Sequence, residues 1–527
     1  MNQIGKKSIA ILLGLLLLVT MWGGVVSVQA EGEDAIVEEN PYTYEVEEGA
    51  VTITGWDTEA GGELEIPATI EELPVTAIGD NAFKGCAKVT DIAIPDTVTT
   101  IGQSAFYGCK SLKTIDISAA VAAIGDDAFG DCVKLTAIEV DKDNEAYCDV
   151  DGILFSKDMT CLVRFPVKYG TASYTIPDSV TTVGMRAFFG CDKLTEVIIP
   201  DTVTSIESNA FHFCPGLTKV VLPSGLQMIE FGVFSSCTGL VSVTIPESVE
   251  KIGNHAFSSC SSLSAVTLPG NLQTIGNNAF SNCSSLSKLE IPESVFAIGN
   301  NAFAFCDALT GMKIPDSVEM LGTRAFIFCH NLRSVTLGAG ITKIEKETFL
   351  GCWKLASVAM ADSVTKIDEY AFHYCVALEE VTLPAAVTAI GHGAFAGCSA
   401  LTKIAIPVGV AELESDLFRD CAKLREITLP VEMVKVGSGA FEGCDKLSDV
   451  YYAGSTATKK EIEVASDNNR LQAAKWHCQT VEEEEAPIVT QTPSLVEEPA
   501  DKTLIYVAVI VAMILFFVLL FRKKSRY

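Results

Sequence analysis

The chain has 527 residues, enough for several ordinary domains, with 38 basic against 67 acidic side chains and a formal net charge of −29. That balance favours solubility and excludes a nucleic-acid surface, which needs clustered Lys and Arg. Eighteen cysteines would suggest a disulfide framework in a small exported domain, but the regular spacing of most of them argues against one.

Residues 1–30 have a basic start at Lys6 and Lys7, an apolar run from Ile9 to about Val19, and the small-residue ending Val28-Gln29-Ala30. The pattern predicts a secretion signal cut after Ala30. Residues 31–74 alternate in strand fashion, as in Tyr42-Thr43-Tyr44-Glu45-Val46 and Val51-Thr52-Ile53-Thr54, with Gly61-Gly62 as a turn. A β cap is expected there, because a stack of repeats needs its first apolar edge covered.

Residues 75–452 carry one recurring unit, Phe-x-x-Cys-x-x-Leu. Its cysteines fall at Cys86, Cys109 and Cys132, and again from Cys191 to Cys444, at steps of 23 residues. A fixed period in the twenties predicts a stacked solenoid, one long domain rather than several globular ones. In the unit that starts at Leu263, the apolar residues Leu263, Val266 and Leu268 predict a short strand, ended by Pro269. Leu272 and Ile275 then cross the core, Gly276 supplies a turn, and Ala279-Phe280 are expected to begin a tight helical turn that returns to Cys283.

Fifteen of the eighteen cysteines share one repeat position, so each would lie beside two equivalents instead of one partner. They read as small buried apolar residues with inert thiols. With no Cys-x-x-Cys pair and no His at ligand spacing, neither a metal nor a cofactor is expected.

Between Cys132 and Cys191 lie 59 residues where 46 would keep two periods. An irregular insert is expected at about 141–175, with Asp149 to Phe155 and Thr160 to Phe165 forming a hairpin that projects from the array. Closure by Phe155 and Thr160 would set Cys161 opposite Leu154, which disfavours a Cys148–Cys161 disulfide. Asp141, Asp143, Asn144 and Glu145 lack the Gly and distal Glu of a calcium loop and read as a solvated turn.

After Cys444 the pattern fades. Residues 453–480, with a helical composition from Lys459 to Lys475, are expected to cap the second edge. Residues 481–503 form an acidic spacer with Pro487, Pro493 and Pro499. Residues 504–521 are eighteen uncharged, mostly apolar residues, about 27 Å as a helix, followed by the basic tail 522–527. The expectation is a single-pass membrane helix with the solenoid outside and the C-terminus in the cytoplasm.

The unit Leu-x-x-Val/Ile-x-Leu/Ile-Pro-x-x-Val/Leu-x-x-Ile-Gly-x-x-Ala-Phe-x-x-Cys resembles the BspA-like leucine-rich repeats of bacterial surface proteins, over roughly Val75 to Tyr452. The resemblance implies a leucine-rich-repeat solenoid, a curved right-handed superhelix with parallel β-strands on the concave face and short strands and short helical turns on the convex face. It also implies binding of other macromolecules, often in adhesion. Gram-positive surface proteins with a similar ending carry a Leu-Pro-x-Thr-Gly motif before the span. Here Leu222-Pro223-Ser224-Gly225 is internal and lacks the Thr, so retention in the cell membrane is expected.

Six histidines sit at His212, His255, His330, His373, His392 and His477, and nothing resembles a nucleophile elbow or metalloprotease motif, so no enzyme is expected. The partner class is an extracellular protein or glycan. Outward strand positions are small and Thr-rich, with Tyr451 the aromatic exception. Between Phe and Cys, Phe189, Phe213, Phe305, Phe328 and Tyr374 stand where other repeats have Gly or Ser. These aromatics either form an exposed ridge that docks a partner or pack on neighbouring turns. The functional alternative is a cell-envelope spacer or assembly protein without a dedicated ligand.

Overall fold

A coil of 23 residues cannot enclose a core, so its apolar residues are buried only when the next coil lies over them. That is the arrangement found. A computed structural model of the chain describes residues 41–56 and 61–479, so the expected signal at 1–30, spacer at 481–503, membrane helix at 504–521 and tail lie outside the described residues. Among the described residues, no helix is long and apolar enough to cross a membrane.

Most coils contribute a short strand such as Ala265–Thr267, in parallel register with the strand one period earlier, Val243 against Val266, while the coils at Lys288 and Glu380 keep only an isolated bridge to a neighbour. Val266 points inward while Ala265 and Thr267 face solvent, as their alternation predicts. A second, two-residue strand such as Thr274–Ile275 pairs in parallel with Lys251–Ile252 and Ala297–Ile298. Two ladders therefore run along the stack, both locked to the 23-residue period.

The return segment differs from the expected helical turn. Asn278 and Asn282 have φ of +54° and +61°, and in all fifteen coils the residues five and one before Cys share this left-handed conformation. Alternate N–H groups consequently point in different directions. Those of Asn278, Phe280 and Asn282 donate to Asn300, Ala302 and Ala304 of the next coil, each at 2.8 Å, while those of Ala279, Ser281 and Cys283 turn back within their own coil. A helix would have spent all of these donors internally. Among the described residues the α-helices are Thr456–Lys459 and Asn469–Ala473, both in the C-terminal cap, where the strand Glu463–Val464 interrupts the longer helix that composition favoured.

Inside, the repeat phenylalanines stack. Phe257, Phe280 and Phe303 follow one another at centroid separations of 5.3 and 5.6 Å and are fully buried. The cysteines form the second column: the Cys283 thiol donates to the Phe257 carbonyl of the preceding coil at 3.1 Å. Burial pushes the Cys283 thiol up to about 12 and those of Cys260 and Cys306 well above the usual range, so they stay protonated and unreactive.

At the N-terminal edge, strands Tyr42–Glu47 and Ala50–Trp56 pair antiparallel, and the second pairs in parallel with Leu73–Ile78. Tyr42 and Trp56 close the Phe stack, 6.5 and 6.1 Å from Phe83.

The insert corrects three expectations. Asp151-Gly152 turn the chain inside what reads as one strand, giving three strands, Tyr147–Val150, Ile153–Ser156 and Cys161–Arg164, instead of one projecting hairpin. Register places Leu162 opposite Phe155 and Arg164 opposite Leu154, so Cys161 does not face Leu154; Cys148 and Cys161 are both free thiols. The central strand does not project but separates two cores: Leu154 belongs to the N-terminal one, and Ile153 and Phe155 to the larger one. Asn144 is no solvated turn residue either. It is fully buried, its amide donating to the Ser118 and Val121 carbonyls and its oxygen accepting from the Ala146 and Tyr147 N–H groups.

Truncating one stacked ring, Phe280→Ala, is expected to cost about 3–5 kcal/mol, read as a loss of denaturant midpoint, because the flanking coils cannot collapse into the gap. Alkylation at pH 8 followed by peptide mapping is expected to label the native protein at no more than Cys148, Cys161 and Cys478, which are partly exposed. The fifteen column thiols should react only after unfolding.

Candidate functional site

The return segment sets two left-handed positions per coil, and what occupies them decides the surface. At the position before Cys, six coils have glycine: Gly85, Gly108, Gly190, Gly351, Gly397 and Gly443. Four have a large aromatic at φ of +55 to +59°: Phe213, Phe305, Phe328 and Tyr374. A bulky L-residue held there is strained by roughly 1–2 kcal/mol. Solvent does not supply an offsetting gain, since Phe213 is 54 % exposed, Tyr374 50 % and Phe305 40 %.

Neighbouring coils accommodate these rings. Phe305 lies 5.2 Å from Phe328. Phe328 in turn covers Gly351, where an added Cβ would fall 2.4 Å from the ring, and Tyr374 covers Gly397 in the same way at 2.5 Å. Two residues further along the coil, His330 sits 5.9 Å from Phe328 and 4.1 Å from Trp353, which is 51 % exposed. Four consecutive coils thus each show one exposed or half-exposed ring: Phe305, Phe328, Trp353 and Tyr374.

Phe189, one position earlier in its coil, is half-buried against His212 at 5.4 Å and beneath the Arg186 guanidinium at 5.2 Å. Phe213 and Phe231 are exposed nearby in sequence, and Phe231 touches His255 at 5.4 Å. Burial lowers the pKa of both His212 and His373, so both rings are neutral at pH 7. Tyr451 stands apart on the strand face, stacked 4.7 Å from His477, which pairs with Asp449 at 2.7 Å. Elsewhere that face carries small residues, the exposed aliphatics Ile198 and Val221, and charge pairs such as Lys219–Glu196 at 2.9 Å and Lys403–Glu380 at 3.1 Å.

The boundary between the two cores holds a cavity of about 210 Å³ lined by Asp127, Tyr147, Arg164, Arg186 and Glu207, among others. Arg164 is buried and donates to the Arg186 carbonyl at 2.6 Å, and Arg186 pairs with Asp127 across the boundary. The Arg164 guanidinium thereby serves backbone carbonyls of the coil that follows the insert, Arg186 and Phe189. Among the described residues no cluster of His, Cys, Asp or Glu is arranged to hold a metal ion.

Of the residues singled out from sequence, the structure brings Phe305, Phe328 and Tyr374 to one strip and leaves Phe189, Phe213 and Tyr451 elsewhere. Trp353, Phe231 and the Asp127–Arg186 pair were missed. Trp353 was detectable, since the position after Cys is Ser261, Ser284 and Ser399 in other coils. Replacing the most exposed strained ring, Phe213→Gly, is expected to raise stability by about 0.5–1 kcal/mol, the steric relief exceeding the entropy of a glycine in the unfolded chain. A thermal melt of the variant beside the native protein checks this.

Comparison with known proteins follows the same lines. The model of the BspA type leucine-rich repeat region matches residues 68–149, 167–284, 232–356 and 342–464. A leucine-rich repeat protein from Bacteroides ovatus ATCC 8483 is similar at 27 % identity and a TM-score of 0.51, over 85 % of this chain and 100 % of that one. A leucine-rich cell surface protein from Faecalibacterium prausnitzii A2-165 is 26 % identical with a TM-score of 0.40, over 83 % of this chain and 100 % of that one. No curated protein matches. With its repeats matched over most of its length and its coils stacked in the register those repeats require, the chain belongs to the family of BspA-type leucine-rich repeat proteins.

Proposed function

We propose that this chain is a bacterial cell-surface protein whose solenoid acts without catalysis, as a rigid scaffold that binds another macromolecule through its return-segment side. The observation that carries the reading is the set Phe213, Phe305, Phe328 and Tyr374, large rings kept at positive φ and left partly in water, where glycine serves in six other coils. Strain held at exposed positions gives nothing to the fold, and its use is contact with a partner. Trp and Tyr are also the side chains on which protein interfaces concentrate their binding energy. Export and membrane attachment are supported by the basic-then-apolar start at 1–30 and by the apolar run 504–521 with its basic tail.

The test uses the full chain in detergent against an array of purified extracellular-matrix proteins, mucin glycans and bacterial wall glycans. Specific capture is expected, falling at least tenfold when Phe213, Phe305, Phe328 and Tyr374 are all replaced by Gly. Undiminished capture by that variant, or capture of no array member, overturns the reading. Protease shaving of intact cells then tests display: a solenoid cut only after the wall is digested favours an envelope spacer.

A further inference from the structure

In a regular coil the alternate N–H groups of the return segment donate to the next coil, as those of Ser104, Phe106 and Gly108 do to Asp126, Ala128 and Gly130 at 3.0, 2.8 and 2.8 Å. The insert takes the place of the coil that Asp127 and Phe129 would meet in the same way, and among the described residues neither N–H makes such a bond. Both residues line the cavity of about 210 Å³ at the core boundary. Two side-chain groups on the same wall are unmet as well. Arg164 is 5 % exposed and directs its two terminal nitrogens to the Arg186 and Phe189 carbonyls, which leaves its Nε without a partner among the described residues. One Asp127 carboxylate oxygen pairs with Arg186, and the other, Oδ1, is buried and unpaired.

Native proteins leave few buried polar groups unpaired. Four buried side-chain nitrogen or oxygen atoms lack a partner among the described residues, and two of the four belong to this one cavity. The Tyr147 hydroxyl, also on the wall, accepts from the Ile124 N–H at 3.0 Å and keeps its own hydrogen to give. Donors at Arg164, Tyr147 and the backbone therefore stand beside an acceptor at Asp127, among the apolar groups of Phe129, Val163 and Met185.

That pattern selects among ligands. The charges on the wall have both signs, Arg164 and Arg186 against Asp126, Asp127 and Glu207, so net charge draws in neither an anion nor a cation strongly. A lone amide brings fewer groups than the wall can meet. A sugar ring brings several hydroxyls, each able to donate and accept, around an apolar face. The volume lies below the roughly 300–1,000 Å³ of pockets for drug-sized molecules and suits a single ring. Met185, 39 % exposed, and the partly exposed Cys161 stand where the cavity reaches solvent.

We infer that the core boundary is a binding site for one neutral sugar ring, with Asp127 Oδ1 accepting from one hydroxyl and Arg164 Nε donating to another oxygen. The site goes beyond the proposed function and uses none of the four aromatic rings on which that reading stands.

Cys161 supplies the reporter. Its thiol lines the cavity and those of Cys148 and Cys478 do not, so a bound sugar should slow alkylation at Cys161 alone. The full chain in detergent is alkylated at pH 8 in the presence of glucose, galactose, mannose or N-acetylglucosamine, of their methyl glycosides, or of acetamide, and peptide mapping reads the rate at each cysteine. At least one sugar is expected to slow Cys161 threefold or more, saturably, with the other two unchanged. Protection by methyl glycosides as well as free sugars assigns the site to the end of a glycan chain, and protection by free sugars alone assigns it to a soluble sugar. Asp127→Gly, which suits the left-handed backbone there, should abolish the protection by removing the acceptor. Met185→Trp should abolish it by filling the mouth from an exposed position, with the melting temperature unchanged. Absence of protection by every sugar, equal slowing at all three cysteines, or protection undiminished in both variants overturns the inference. Protection by acetamide equal to that by the sugars overturns it in favour of an amide ligand. The fourfold Gly variant at the aromatic rings should protect Cys161 as the native chain does, so failure here leaves the array result and the proposed function standing.

Discussion

Everything in this molecule depends on each residue lying against its equivalent 23 positions away. The two parallel ladders, the Phe stack and the thiol-to-carbonyl bonds all run from coil to coil, and little of the stabilising contact stays within one coil. Phe280 touches Phe257 and Phe303, and the Cys283 thiol reaches the Phe257 carbonyl. Such a stack has nearest-neighbour energetics and two open ends, which is why strands Tyr42–Glu47 and Ala50–Trp56 at one end and the short helices and strands after Tyr452 at the other are required.

The insert shows what happens where that register is reset. Phe129 ends one stack and Phe165 starts another. Between them lies the strand Ile153–Ser156, whose alternating side chains serve opposite cores, Leu154 on one side and Ile153 and Phe155 on the other. A strand can do this because its period is two. Backbone acceptors still need partners at the break, and Arg164 supplies them by donating to the Arg186 and Phe189 carbonyls, while the Arg186 side chain pairs with that of Asp127. Burial raises the Asp127 carboxyl above its ordinary range despite both arginines, so the boundary is a place of tolerated electrostatic cost, repeated nowhere in the regular coils.

Much of this was legible in the sequence. The 23-residue Cys spacing fixed the stack, the inward Leu and Val positions and the inert column. Less legible was the return segment, because Ala279-Phe280 has good helical composition and local propensity points the wrong way. The signal that should have overruled it was Asn278 and Asn282, residues that tolerate positive φ, at positions filled elsewhere by Gly, Asp or Ser. The Asp151-Gly152 turn was likewise written in a dipeptide typical of tight hairpins. Phe165 escaped notice as a sixteenth stacked ring because Lys168 replaces its Cys, and Asn144 was misread because the cavity it fills is made by residues more than twenty positions away.

A repeat protein carries its own controls. At the position before Cys the same backbone, with the same left-handed conformation, holds Gly in six coils, Asn, Ser or Asp in others, and Phe or Tyr in four. Fold requirements are therefore met by the small residues, and nothing in the coil geometry asks for a ring. Two of the four rings lie over a glycine, Gly351 under Phe328 and Gly397 under Tyr374, each at a distance where a methyl group would collide, whereas Phe305 lies against Phe328 and the coil after that of Phe213 carries Ser236. A strained residue together with a matching absence on the next coil is a two-part arrangement. At Phe328 and Tyr374 the strained ring and the glycine beneath it act as a pair, which supports the contact role proposed for this side of the stack.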